Sequence, residues 1–169
     1  VNPVKLEYST DSGGNWTLIN NTVAGIDGIN TYNWTVPDRK SEQCLVRVTD
    51  NRSSFSEVTD VSNTTFRILP QITLTQPIGG QNVTAKSNDT AIRWNYTGST
   101  INQVNIDYST NGGINWTNIK SNEPVTNGTS FIWPQVPTVV TNDALVKVYD
   151  IDNANISSTS GTFNIVSSL

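Results

Sequence analysis

The sequence contains no histidine and only one cysteine, Cys44, in 169 residues. Without an imidazole there is no Ser-His-Asp triad, no Cys-His pair and no histidine-based metal site. A lone cysteine forms no intrachain disulfide. Cys44 lies in the run Cys44-Leu45-Val46-Arg47-Val48, with no base at hand to make a reactive thiolate, and reads as a small buried hydrophobe. Charge is scarce as well, at 14% of residues where about a quarter is usual. The net charge is −4, and Lys5, Lys40, Arg47, Arg52, Arg93 and Lys147 are scattered. A phosphate backbone is neutralised by clustered Lys and Arg, so nucleic acid is not an expected partner. No stretch approaches the roughly 18 apolar residues of a membrane span, so membrane insertion is not expected either. No glycine-rich loop leads into a helix, which leaves nucleotide and other cofactors without support. No signal-peptide pattern is visible and the first residue is Val1; the expectation is a mature or excised piece of a longer chain.

What the chain has in place of charge is Asn, Thr and Ser, a neutral and hydrated surface more typical of secreted proteins. It also has an internal repeat. Val4-Lys5-Leu6-Glu7-Tyr8-Ser9-Thr10 matches Val104-Asn105-Ile106-Asp107-Tyr108-Ser109-Thr110, and Asn15-Trp16-Thr17 matches Asn115-Trp116-Thr117. Leu45-Val46-Arg47-Val48 matches Leu145-Val146-Lys147-Val148, and Asp50 matches Asp150, all at an offset of 100 residues. Tyr32-Asn33-Trp34 pairs with Phe131-Ile132-Trp133 after a one-residue slip, and Thr65-Phe66-Arg67-Ile68 with Thr162-Phe163-Asn164-Ile165. A period this long is a whole domain, not a solenoid unit.

Apolar and polar residues alternate within each block, the mark of half-buried strands. Val4, Leu6 and Tyr8 share a face opposite Lys5 and Glu7; Ile92, Trp94 and Tyr96 oppose Arg93 and Asn95. Short strands at close spacing predict an all-β fold of tandem antiparallel sandwiches. The second repeat, residues 70–169, reads as seven strands: Ile72–Gln76, Thr90–Tyr96, Gln103–Ser109, Asn115–Lys120, Ser130–Val136, Ala144–Asp150 and Thr162–Val166. The first repeat, residues 1–69, enters directly at the strand equivalent to Val104–Ser109, so two strands have no counterpart there. That leaves the expected strand at Tyr32–Val36 alone over the other sheet, with Val4, Tyr8, Trp34, Val46 and Val48 short of cover. The expectation is an excised or incomplete piece, or strands supplied by another chain.

Ser9-Thr10-Asp11-Ser12-Gly13-Gly14-Asn15-Trp16 fits the Asp-box pattern S-x-D-x-G-x-x-W, and Ser109 to Trp116 fits with Asn111 in place of Asp. Asp or Asn can accept backbone amides across a tight turn, Gly supplies positive φ, and the Trp covers the hairpin end. The Asp box is best known from sialidase propellers, where it is a structural turn. A propeller blade repeats every 40–50 residues or so, too short for the spacing here. Glu7 and Asp107 occupy equivalent positions on the polar strand face, which favours surface charge over a paired glycosidase site. Asp150-Ile151-Asp152-Asn153-Ala154-Asn155 offers oxygen ligands without the spacing of a calcium loop and reads as a polar hairpin. No catalytic, cofactor-binding or metal-binding residue is therefore assigned. Of eleven Asn-x-Ser/Thr sequons, several fall inside predicted strands, which argues against their use for glycosylation.

Gln76-Pro77-Ile78-Gly79-Gly80, Ile92-Arg93-Trp94, Val104 to Ser109, Gly112-Gly113 and Trp116 together resemble a known module type. So do Val46 to Asp50, Asp60-Val61-Ser62 and Phe66-Arg67-Ile68. The chain is similar to the immunoglobulin-like and fibronectin type III-like modules of large secreted and surface proteins of Bacteroidota; the yeast cell-wall glucan-assembly family carries a similar module. The resemblance implies a non-catalytic stalk, spacer or adhesion module outside the cell, secreted or at the surface. Its partners would be neighbouring domains of the same polypeptide, a strand-donating chain, polysaccharide or cell-surface components. The alternative is a carbohydrate-binding or accessory module attached to a secreted enzyme; exposure of Trp94 or Trp133 would favour carbohydrate binding.

Overall fold

The computed structural model describes residues 2–52, 58–125 and 130–168. It is all-β: fourteen strands and no helix among the described residues. The chain divides into two compact units, Val1–Leu69 and Pro70–Leu169.

The first unit holds β1 (Asn2–Ser9), β2 (Thr17–Gly25), β3 (Ser41–Asp50), β4 (Thr59–Val61) and β5 (Phe66–Ile68). They form one sheet in the order β2-β1-β3-β4, with β5 also paired to β3. The long β3 serves both: Arg47 to Thr49 pair with β4, while Ser41 and Cys44 pair with β5. Among the described residues this unit has no second sheet.

The second unit begins with β6 (Gln71–Gln76), β7 (Asn82–Thr84), β8 (Ala91–Thr97), β9 (Gln103–Ser109) and β10 (Thr117–Pro124). It continues with β11 (Ser130–Ile132), β12 (Thr141–Asp150), β13 (Ser157–Thr159) and β14 (Phe163–Val166). One sheet runs β10-β9-β12-β14-β7, with β13 on β12; the other runs β11-β8-β6. Between them lies a core. Ile72, Ile92 and Trp94 bury from the smaller sheet, and Val104, Ile106, Val146, Val148, Phe163 and Ile165 from the larger. Burying one such side chain stabilises by roughly 1.5–3 kcal/mol, which is why period-two alternation fixes which way each strand faces.

Each unit builds its corresponding sheet in the same register. Val4 opposes Asp50, Leu6 opposes Val48 and Tyr8 opposes Val46; Val104 opposes Asp150, Ile106 opposes Val148 and Tyr108 opposes Val146. Even the irregularities coincide, since β1–β2 shifts register around Leu6 and β9–β10 around Ile106.

Three features differ from the sequence reading. Two short strands, β7 and β13, stand where turns and loops were read; at three residues each they are too short to show a period. The sheet is not wholly antiparallel, because β7 pairs parallel to β14. After β6 the Pro77-Ile78-Gly79-Gly80 turn carries the chain from the smaller sheet to the edge of the larger, where β7 lies beside β14. Finally, Tyr32–Val36 forms no strand. Its equivalent, β11, is held by pairing with β8, and the first unit offers no such neighbour among its described residues.

Candidate functional site

The most distinctive constellation is the hairpin that follows β1 and, again, β9. Ser9 is buried, and its Oγ accepts the amides of Asp11 (3.2 Å) and Gly13 (2.9 Å) while donating to Asp11 Oδ1 (2.7 Å). Asp11 in turn accepts the Asn15 amide on Oδ1 (2.8 Å) and the Asn15 side chain on Oδ2 (2.6 Å). The amide of Asn15, then the Ser9 hydroxyl and the Asn15 side chain, hold the Asp11 carboxyl down at about 2. The second hairpin repeats this with a neutral residue: Ser109 Oγ takes the amides of Asn111 and Gly113, and Asn111 Oδ1 takes that of Asn115 (3.0 Å). Gly13 and Gly113 have φ of 91° and 88°, a region closed to most side chains. A Cβ on Gly113 would also sit 3.4 Å from both Leu145 and Trp116. Each loop is anchored to the neighbouring strand: Ser12 N donates to Gln43 O and Gly112 N to Asp143 O, both at 2.9 Å.

The tryptophan that closes each hairpin lies on the outer face of the sheet beneath a cation. Arg47 stands 4.2 Å above the Trp16 ring, and Lys147 stands 4.6 Å above Trp116 and 4.9 Å above Tyr149. Arg47 also donates Nε (3.0 Å) and Nη2 (2.7 Å) to Glu7, its cross-strand neighbour. Burial pushes the Glu7 carboxyl up, but the bonds and charges of Arg47 and Lys5 outweigh it and hold the group below its ordinary value. In the second unit Asp107 accepts from Asn118 Nδ2 at 2.9 Å, and both Glu7 and Asp107, expected as surface charge, are buried beneath these outer-face side chains. The Tyr149 hydroxyl is pushed up, first by burial and then by Asp107. These outer-face stacks escaped the sequence reading. Glu7 and Arg47 are 40 residues apart, and only the β1–β3 register makes them neighbours; the repeat of a cation at 47 and 147 was the signal.

The other residues singled out from sequence fall as follows. Trp94 and Trp133 are 1% and 2% exposed, inside the second core, and Trp133 rests against Tyr108 with ring centroids 5.1 Å apart. Tyr96, Tyr108 and Phe131 are partly buried and Phe163 fully so. Cys44 is fully buried, with Sγ 3.7 Å from the Ser41 carbonyl. In the Asp150 turn, Asp150 Oδ2 accepts the Asn153 amide and Asn153 Oδ1 accepts that of Asn155, both at 3.0 Å; Asp50 instead pairs with Arg52. The described residues contain no group of three or more His, Cys, Asp or Glu positioned for a metal ion.

The inner face of the first sheet is the second constellation. Val4, Leu6, Val46 and Phe66 are only partly buried and Val48 is 39% exposed, where their equivalents Val104, Ile106, Val146, Phe163 and Val148 are all at 0%; Tyr8, expected to lack cover too, is instead buried, with the partly buried Trp34 ring 5.1 Å from its own. Hollows of about 340 and 190 Å³ open on this face, both bordered by Val4 and Val48. The segment that runs past it leaves Ile26, Ile29, Tyr32 and Val36 exposed as well.

Comparison of the chain with protein-family models, with curated proteins and with solved structures gives no match.

Proposed function

We propose that the chain is a pair of immunoglobulin-like, fibronectin type III-like modules serving as a non-catalytic stalk, spacer or adhesion segment of a large secreted or cell-surface protein, of the kind repeated in Bacteroidota. The strand order of the second unit supports the module type: β6, β8 and β11 in one sheet, β9, β10, β12 and β14 in the other, is the division of a two-sheet Greek-key sandwich. The observation that carries the functional reading is how the carboxylates are used. Asp11 caps a turn, Glu7 binds Arg47, Asp50 binds Arg52 and Asp107 binds Asn118. Each of these four is engaged in holding a strand or a turn. Carbohydrate binding has less support, because Trp94 and Trp133, whose exposure would have favoured it, lie in the core.

The test is incubation of the pure chain with a panel of insoluble polysaccharides and with fluorogenic sialosides and glucosides. A spacer gives neither saturable retention nor turnover. Saturable retention would replace this reading with a binding module, and turnover abolished by Glu7→Gln or Asp107→Asn would replace it with an enzyme.

A further inference from the structure

The two hairpin turns hold unlike residues with the same donors. In the first, Asp11 receives the Ser9 hydroxyl and the Asn15 amide on Oδ1 and the Asn15 side chain on Oδ2. In the second, the Ser109 hydroxyl (2.9 Å) and the Asn115 amide (3.0 Å) reach Asn111 Oδ1. The Asn111 NH2 cannot accept the bond that Asp11 Oδ2 accepts, and no hydrogen bond joins the Asn111 and Asn115 side chains. A carboxylate's site thus holds an amide. The next residue is Gly112, and Asn111 is the one described asparagine followed by glycine. Gly112 is exposed, and a Cβ built on it would meet nothing within 4 Å. Its nitrogen carries a single hydrogen bond, to Asp143 O at 2.9 Å, in an exposed turn of the kind that opens locally.

We propose that Asn111 is a self-modification site, converted in the folded protein to aspartate through a cyclic imide formed with the Gly112 nitrogen. The Gly112 amide loses its proton to hydroxide, and its nitrogen attacks Asn111 Cγ. The new N–Cγ bond forms, the Cγ–Nδ2 bond breaks, and Nδ2 leaves as ammonia with a proton from water. Water then opens the five-membered ring. Attack at Cγ breaks the N–Cγ bond, returns a proton to the Gly112 nitrogen and leaves aspartate. The net change is amide plus water to carboxylate plus ammonium, with no oxidation or reduction. The Ser109 hydroxyl and the Asn115 amide, which already meet Oδ1, stabilise the negative charge that gathers on this oxygen as Cγ becomes tetrahedral. Attack at the other ring carbonyl lengthens the main chain by one carbon and carries Gly112 N away from Asp143 O. The turn therefore directs the product to aspartate, whose second oxygen takes up the Asn115 side chain as Asp11 takes up Asn15. Conversion adds one negative charge to a chain of net −4 and makes the second turn chemically like the first. This inference rests on the geometry of the two turns and is independent of the stalk reading.

The experiment holds the freshly purified full chain in mildly alkaline buffer, folded or in urea, and maps its peptides by electron-transfer mass spectrometry. This distinguishes aspartate from isoaspartate, and position 111 from the other Asn-Gly pair, Asn127-Gly128, which lies outside the described residues. The folded chain is expected to convert at position 111 and to yield mainly aspartate, whereas the chain in urea yields both isomers. Asn111→Asp, made directly, is expected to raise the melting temperature. A folded chain that keeps its amide while the chain in urea converts would overturn the proposal, since the fold would then shield the site. Conversion in neither state, isoaspartate as the main product of the folded chain, or a lower melting temperature for Asn111→Asp would each overturn it as well.

Discussion

Val48 and Val148 occupy equivalent positions of the two units' corresponding sheets, opposite Leu6 and Ile106 respectively, yet Val48 is 39% exposed and Val148 not at all. Backbone pairing therefore does not decide how much a β-branched side chain contributes; the facing layer does. Val148→Ala is expected to destabilise the second unit by about 2 kcal/mol through lost burial and a residual cavity. Val48→Ala is expected to cost the first unit less than about 1 kcal/mol. Denaturant unfolding of the two variants, followed by exchange in each unit, checks the contrast; equal losses would contradict it.

The Asp11 and Asn111 turns respond differently to acid. Asp11 titrates at about 2 in the folded chain, below the roughly 3.9 of an unfolded Asp. The folded state therefore holds the charged form more tightly. This stabilisation is complete above the unfolded value and disappears as pH falls from about 4 toward about 2. Asn111 has no charge to lose. Protection of residues 11–15, taken relative to the intrinsic exchange rate at each pH, is expected to fall over that range while that of residues 111–115 stays level, and Asp11→Asn is expected to remove the difference.

Ser12 sits at φ 56° where the second unit has Gly112 at 66°. A non-glycine residue in this left-handed region is strained by roughly 1–2 kcal/mol. Ser12→Gly is expected to stabilise the first unit by about 0.5–1 kcal/mol after the extra unfolded-state entropy of glycine is subtracted, and Gly112→Ser to destabilise the second by a similar amount. Thermal unfolding of both variants gives the answer; destabilisation by Ser12→Gly would show that the Ser12 hydroxyl contact with Gln43 outweighs the strain.

Gly161 approaches Gly79 backbone to backbone, so that a Cβ on Gly161 would lie 3.0 Å from the Gly79 Cα. The neighbour is main chain and has no flexible end to move. Gly161→Ala is expected to cost about 1–3 kcal/mol by overpacking and to loosen the Gly80 N to Thr162 O bond of 2.8 Å. A melting temperature unchanged by this substitution would contradict the argument.

Much of this fold was legible because the repeat doubled every signal. The alternation in Val4-Lys5-Leu6-Glu7-Tyr8 and its copy at 104–108 named the same strand twice, and the Ser-x-Asp/Asn-x-Gly turns marked where each ended. What periodicity could not reveal was anything that depends on neighbours. Asn82–Thr84 is a strand because β14 lies beside it, and Tyr32–Val36 is not one although Tyr32 and Trp34 alternate correctly. The Arg47–Trp16 and Lys147–Trp116 stacks were hidden for the same reason, since a cation over a ring is a relation between strands distant in sequence.

The shared register has a consequence for how the chain finds its structure. β3 and β12 each present a ladder that β1 and β9 fit in the same register, residue for residue. Charge does not sort them: Glu7 would meet Lys147, and Asp107 would meet Arg47, with the same sign complementarity as in the native pairs. The inward side chains of these strands hardly sort them either, since Val4, Tyr8, Val46 and Val48 recur as Val104, Tyr108, Val146 and Val148 and only Leu6 against Ile106 and Cys44 against Ala144 differ. Exchange of β1 and β9 between units, or between two chains at high concentration, is thus the competing product of refolding, a known hazard of tandem repeats with similar sequences. Refolding yield is then a matter of dilution, and the facing layer of β6, β8 and β11, not the hydrogen-bonded frame, marks the second unit among the described residues.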